Sequence, residues 1–172
     1  GFEFFAVAGV ETDPPTMFDV FPGAPAVTGE TTIVFKGNFT VGDVGKTGVF
    51  YRQLPLQNEP IELDDGTELE PAGGTSEVVL IANNVDTHIP GTEQFFGSTS
   101  PPSAADGKVV FAGFDNEEDP KLGGIYLAEL EETPELEALV SIGDRVPGET
   151  AQQARFSRLG EGVAFDGQYL AF

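Results

Sequence analysis

One order of apolar runs and turns recurs along this chain, and the recurrence restricts it to architectures in which small β units cover one another's apolar faces. The first full copy begins at Thr32-Ile33-Val34-Phe35-Lys36-Gly37 and passes through a Gly/Asp loop to Thr47-Gly48-Val49-Phe50-Tyr51-Arg52. After an acidic insertion around residues 55–76 comes Glu77-Val78-Val79-Leu80-Ile81-Ala82, then Asp86-Thr87-His88-Ile89-Pro90-Gly91 and the aromatic pair Phe95-Phe96. The second copy keeps that order: Lys108-Val109-Val110-Phe111-Ala112-Gly113, Gly124-Ile125-Tyr126-Leu127, Leu136 to Ile142, Gly143-Asp144-Arg145-Val146-Pro147-Gly148, and Phe156. A third opens at Asp166-Gly167-Gln168-Tyr169-Leu170-Ala171-Phe172. Residues 5–18 match the later third strand, Pro turn and aromatic, ending on Met17-Phe18. The units are thus 1–31 (partial), 32–107, 108–167 and 168–172 (partial), within one all-β domain, 1–172.

Strand physics explains the pattern. Side chains alternate between the two sides of a strand, so β-branched and aromatic residues pack between sheets while glycine-containing turns reverse the chain. Asp106-Gly107 and Asp166-Gly167 are predicted to be tight hairpin turns, and Pro90-Gly91 and Pro147-Gly148 turns of the type in which Pro fixes φ before Gly. The 15 Phe, 22 Gly and 13 Pro fit many short strands, and no window carries the periodicity of a long amphipathic helix.

With 29 acidic against 8 basic residues the formal charge is −21. Such a surface repels phosphate backbones and anionic headgroups within about a Debye length, which argues against nucleic-acid binding and suits salt- or calcium-rich surroundings. The absence of cysteine excludes disulfides and thiolate chemistry. No run reaches the ~18 apolar residues that would suggest a membrane-spanning helix.

The stretch Pro101-Pro102-Ser103 … Asp106-Gly107-Lys108-Val109-Val110-Phe111 … Gly124-Ile125-Tyr126-Leu127 resembles the blade of TolB-like and related WD40-like β-propellers. The Gly-Asp-x-x-Pro-Gly element is similar to bacterial exported tandem repeats named for an Asn-x-x-Gly-x-x-x-x-Ala-Phe motif. Thr28-Gly29-Glu30, in place of Asp-Gly, and Ser157-Arg158-Leu159, without the expected Pro, depart from the pattern. The resemblance implies a β-propeller-like fold of about three blade units in an extracellular, surface or periplasmic protein. Since a closed propeller needs about four to eight blades, three arrangements stay open. They are part of a larger propeller, half of a ring completed by a second copy through strand or blade completion, and an open sandwich.

Chemistry-bearing residues are sparse. His88 is the one histidine, and with Asp86 it forms a candidate proton-transfer pair, but Arg145 fills its slot in the next copy, as expected of a surface turn. Asp115-Asn116-Glu117-Glu118-Asp119, with Asp43 as counterpart, offers hard oxygen ligands for calcium without EF-hand spacing; a solvated acidic hairpin is the simpler reading. Glu62, Asp64, Asp65, Glu68 and Glu70, and Glu129, Glu131, Glu132, Glu135 and Glu137, read as solubilising charge rather than a glycosidase pair. Phe4, Phe5, Phe35, Phe50, Phe111, Phe156, Phe165 and Phe172 read as packing between units. Asn38-Phe39-Thr40 matches an N-glycosylation acceptor.

No catalytic, cofactor-binding or metal-binding residue is assigned, and calcium is the one cofactor left open. The expectation is a non-catalytic structural or interaction module with no nucleic-acid or membrane-inserted partner. The alternatives are a carbohydrate- or calcium-binding module of a larger surface protein, or a fragment of a propeller hydrolase. Because like charges oppose compaction, calcium or added salt should raise the melting temperature, as calorimetry would measure. A melting temperature indifferent to both would remove the cation dependence.

Overall fold

The computed structural model describes residues 18–54, 78–150 and 154–172 with their side chains, and the backbone of Ile61–Glu62 and Glu68–Leu69. Phe4 and Phe5, the half-unit before Phe18, Asp64, Asp65 and Glu70, and the side chains of Glu62 and Glu68, lie outside the described residues. The described chain is all β, without a helix, and every strand pairing is antiparallel.

Two open sheets dominate. In the first, β3 (Thr32–Val41) pairs with β4 (Val44–Gln53), and β4 with β7 (Val78–Asn83). The free side of β3 is shared by β1 (Phe18–Val20) at one end and β2 (Ala26–Thr28) at the other. The second repeats the plan: β10 (Lys108–Phe114) pairs with β11 (Gly123–Glu129), β11 with β12 (Glu137–Ser141), and β8 (Ser98–Thr99) and β9 (Ser103–Ala105) share β10. A third begins as the hairpin β13 (Ala164–Phe165) and β14 (Leu170–Ala171). Within the first sheet's sequence, between β4 and β7, β5 (Ile61–Glu62) and β6 (Glu68–Leu69) form a separate ribbon in the acidic insertion.

The correspondence extends to irregularities. The register breaks between Val49 and Phe50 against β7 and at the matching Ile125/Tyr126 step against β12, leaving Ile81 and Leu139 as the extra residues. A bulge of this kind sharpens the local twist. Turn chemistry follows the residues. Asp106 (φ 51°) and Gly107 (φ 72°) both occupy the left-handed region, as a two-residue type I′ hairpin requires. The Asp166-Gly167 turn differs from expectation. There the loop spans Asp166–Tyr169, because the Asp166 carboxylate accepts hydrogen bonds from the Gln168 and Tyr169 amides and draws two more residues into the turn.

The sheets stack front to back. Alternation along β3 and β4 sends Val34, Val49 and Tyr51 to one side, here the front, and Phe35 and Phe50 to the back. On β10 and β11 the matching front residues are Val110, Ile125 and Leu127, and the back residues Val109, Phe111, Tyr126 and Ala128. The main core joins the front of the first sheet to the back of the second, with Ile81, Ala82, Ile89 and Phe96 completing it. The front of the second sheet meets Leu159, Val163, Phe165 and Leu170 from the chain that follows it, including the hairpin β13–β14.

An aromatic ring on a glycine links consecutive units. Phe96 lies over Gly113, where an added Cβ would sit 2.5 Å from its ring, and Phe18 lies over Gly37 with the same 2.5 Å approach. Each ring also meets the next strand's Phe: Phe18 and Phe35 at 5.6 Å between centroids, Phe96 and Phe111 at 6.3 Å, and Phe156 and Phe172 at 6.1 Å. Phe35, Phe50 and Phe111 are core residues as expected. Phe156 and Phe165 are only half-buried and Phe172 is 51 % exposed.

Phe96→Ala is expected to cost about 3–5 kcal/mol as a large-to-small core change. Gly113→Ala is expected to cost about 1–3 kcal/mol by overpacking. The double variant should fall well short of the sum, because the smaller ring position frees space for the new methyl. Urea unfolding of the four proteins measures this, and additive losses would contradict the contact.

Candidate functional site

Three surface regions gather polar groups. The first is the loop after β7, shaped by Asn83. Its side-chain Oδ1 accepts from the amides of Val85 and Asp86, both at 3.0 Å, and from Thr87 Oγ1 at 3.2 Å, while Thr87 Oγ1 accepts from the Asn83 amide at 3.0 Å. These bonds fold the chain so that His88 pairs across with Phe95, their rings 4.1 Å apart. His88 is exposed, and no hydrogen bond joins it to Asp86 among the described residues. The geometry therefore does not assemble a proton relay, and Asp86 contributes its amide rather than its carboxylate. The second copy reproduces the loop with Asp144 Oδ2 accepting from the Ser141 amide at 2.7 Å. Here the cross-strand pair is Arg145 with Arg155. Like charges directly opposite are unfavourable, and Arg155 relieves this by donating from Nη1 to the Gly143 carbonyl.

The acidic loop between β10 and β11 holds itself together. Asp115 Oδ1 accepts from the Lys121 and Leu122 amides at 2.9 and 3.0 Å, and Asn116 Oδ1 from the Glu118 and Asp119 amides at 2.9 and 3.0 Å. Asp119 pairs with Lys121 at 2.9 Å and with Arg158 at 3.4 Å, and Arg158 also donates to the Glu118 carbonyl. The hydrogen bond and charge of Lys121, aided by Arg158, hold the Asp119 carboxyl below the usual carboxylate range. Asp115 Oδ1, Asn116 Oδ1 and the Asp119 carboxylate thus already accept protein hydrogen bonds. No group of three or more His, Cys, Asp or Glu arranged to hold a metal occurs among the described residues. Asp43, the sequence counterpart, sits in the exposed Gly42-Asp43 turn between β3 and β4.

The third region is a groove of about 310 Å3 at the end of the second sheet. Leu127 and Leu136 line it together with Glu129, Glu131, Glu135 and Glu137, and Lys108. Lys108 and Glu129 face each other across β10 and β11, their charges 3.6 Å apart. Both are largely exposed, so the pair is worth well under about 1 kcal/mol. The groove gathers four of the five glutamates singled out beyond the Tyr126 strand. Glu131 and the fifth, Glu132, instead raise the ionisation range of the Tyr51 hydroxyl, after the larger effect of its burial.

The remaining candidates are scaffold. Asn38 lies within β3, its Oδ1 buried without a hydrogen-bond partner, so the glycosylation pattern falls on a strand rather than on a free loop. The roles of Arg158 and Lys108 escaped sequence reading. Both depend on partners brought close by stacking or pairing, and only the scarcity of basic residues singles them out beforehand. Compared with known proteins, the chain matches no protein-family model, no curated protein and no solved structure.

Burial pushes the Tyr126 hydroxyl up to about 12 from an ordinary value of 10.0. Between these values the unfolded chain loses the tyrosine proton while the folded chain keeps it, so stability falls as pH rises. Tyr126→Phe should recover up to about 2 kcal/mol of that alkaline loss, read from urea unfolding at stepped pH. An unchanged slope would show that the hydroxyl ionises freely in the fold.

Proposed function

We propose that this chain is a propeller-type repeat module, exported or surface-exposed, that acts by presenting a surface rather than by catalysis. The observation that carries the reading is a taper between stacked units. Face-to-face sheets ordinarily lie about 10 Å apart. Here Cα atoms of β2 and β9 come within 8 Å of one another, as do those of β9 and β13. Small side chains permit this approach: Ala26 and Thr28 on β2, and Ser103, Ala104 and Ala105 on β9. Deeper between the sheets stand Tyr51, Ile81, Phe96 and Tyr126. Cα atoms of β8 come as close to β4 and β7, where the chain crosses from one sheet to the next, and the narrowing along the β2–β9–β13 edge is the shape that blades need to go round an axis.

Contacts along the thin edge reinforce this geometry. Thr28 Oγ1 accepts from the Gly107 amide at 3.3 Å, and Ser103 Oγ accepts from the Phe165 amide at 3.0 Å. The TolB-like pattern around Asp106-Gly107 falls on this same edge. As for chemistry, the proton relay is not assembled at His88, and in the acidic loop Asp115 and Asn116 each use one side-chain oxygen on the loop's own amides. Acting as a binding scaffold is the simpler use of such a surface.

Chains carrying tandem copies of unit 108–167 in increasing number test the taper by small-angle scattering. A particle that stays compact and stops growing in its longest dimension is expected of blades around an axis. A rod lengthening with each added copy would overturn the propeller reading.

A further inference from the structure

We propose that Arg145 and Arg155, facing each other on the loop after β12, form a binding site for a carboxylate group carried by a neutral or basic partner. The inference deepens the reading of this chain as a surface-presenting module and rests on it. It starts from a loop frame built twice. After β7 the Ile89 amide donates to the Gln94 carbonyl and the Phe96 amide to the Thr87 carbonyl, at 2.8 and 3.1 Å. After β12 the Val146 amide donates to the Ala154 carbonyl and the Phe156 amide to the Asp144 carbonyl, at 3.1 and 2.9 Å. A turn bond recurs inside each, from Thr92 to Ile89 at 3.0 Å and from Glu149 to Val146 at 3.4 Å. Each frame also carries one cross-strand pair, His88 with Phe95 in the first and Arg145 with Arg155 in the second. With the second sheet stacked on the first, Ile89 and Phe96 are 3 and 2 % exposed, yet His88 is exposed and Phe95 is 42 % exposed. This pair position therefore stays on the surface even where a sheet follows, and its chemistry changes between copies while the frame does not.

Charge gives the second pair its ligand. Directly opposed residues on antiparallel strands hold their Cβ atoms about 4.5–5.5 Å apart, so both guanidinium groups start from the same side of the loop. Acidic residues outnumber basic ones by 29 to 8, yet neither arginine has an ion pair among the described residues, whereas Lys108, Lys121 and Arg158 each have one. The adjacent acid, Asp144, turns its carboxylate to the Ser141 amide at 2.7 Å. Arg155 gives Nη1 to the Gly143 carbonyl, which orients its guanidinium and leaves its other donors, with those of Arg145, for a ligand. A guanidinium fork matches the two oxygens of a carboxylate. Phosphoryl oxygens match it too, but the field of a chain at −21 opposes a dianion more strongly than a monoanion. The same field repels a second copy of this chain and attracts a partner whose remaining charge is positive.

The probes are the tripeptide Lys-Glu-Lys, acetylated and amidated so that it carries one carboxylate, together with acetate, inorganic phosphate and chloride. Each is titrated into the intact protein at low salt while NMR follows the arginine side-chain N–H signals. Arg145 and Arg155 should shift saturably with the tripeptide and with acetate, the tripeptide binding about fivefold more tightly. Arg158, already held by Asp119, should not follow. Arg145→His with Arg155→Phe places the first copy's pair on the second frame and should abolish the response with the melting temperature kept. His88→Arg with Phe95→Arg should create a second responsive pair. Absence of saturation by about 10 mM tripeptide overturns the site. So does tighter binding of phosphate than of acetate, a response that survives the Arg145→His, Arg155→Phe exchange, or an equal response to chloride, which would mark an adventitious ion only. Failure here with compact tandem chains removes this site and leaves the module reading intact, while elongated tandem chains with bound tripeptide remove the propeller reading alone.

Discussion

The fold depends on one contact repeated: a phenylalanine preceding the first long strand of a sheet lies on a glycine within that strand. Phe18 on Gly37 and Phe96 on Gly113 remove the side chain from one partner so that the other's ring can reach the backbone. That close approach positions Phe96 against Phe111 and Tyr126, 6.3 and 5.2 Å away between centroids, in the middle of the main core. Edge-to-face and tilted ring pairs of this kind add specificity to the area they bury. The connection between the two large sheets is thereby a packed element, with Phe96 in the core that joins them.

Much of this was legible in the residues. Periodicity, Asp106-Gly107 and the Phe spacing indicated strands and their order, because each reflects a local rule: alternation, positive φ, or a ring at a fixed place in the repeat. The bulges at Val49/Phe50 and Ile125/Tyr126 carry no such local mark, and they decide that Ile81 and Leu139 are extra residues rather than ladder partners. The Asp166 loop shows local chemistry overriding a motif. Here Asp accepts from two following amides and lengthens a turn that Asp106, at φ 51°, keeps to two residues.

The polar regions were less legible, since their meaning comes from partners distant in sequence. Asp115 to Asp119 reads as a solvated acidic hairpin with calcium left open; that Asp115 Oδ1 accepts from Lys121 and Leu122, and that Arg158 arrives from some 40 residues along the chain, is visible only in space. The glutamates beyond Tyr126 are interchangeable as text; strand pairing sorts Glu129 and Glu137 onto the side of Leu127. Asn38 matches a modification pattern as text and is a strand residue in space.

Front-to-back stacking has a consequence for how such a chain changes over generations. A two-fold pairing of like faces would not reproduce this junction, which sets Val34, Val49 and Tyr51 of one sheet against Val109, Phe111 and Tyr126 of the next. Copying a unit in tandem, by contrast, creates at once a junction whose two halves already match, because every unit carries both. Lengthening by gene duplication therefore asks for no new complementary surface, whereas a lone substitution at a ring or its glycine must be answered in the neighbouring unit.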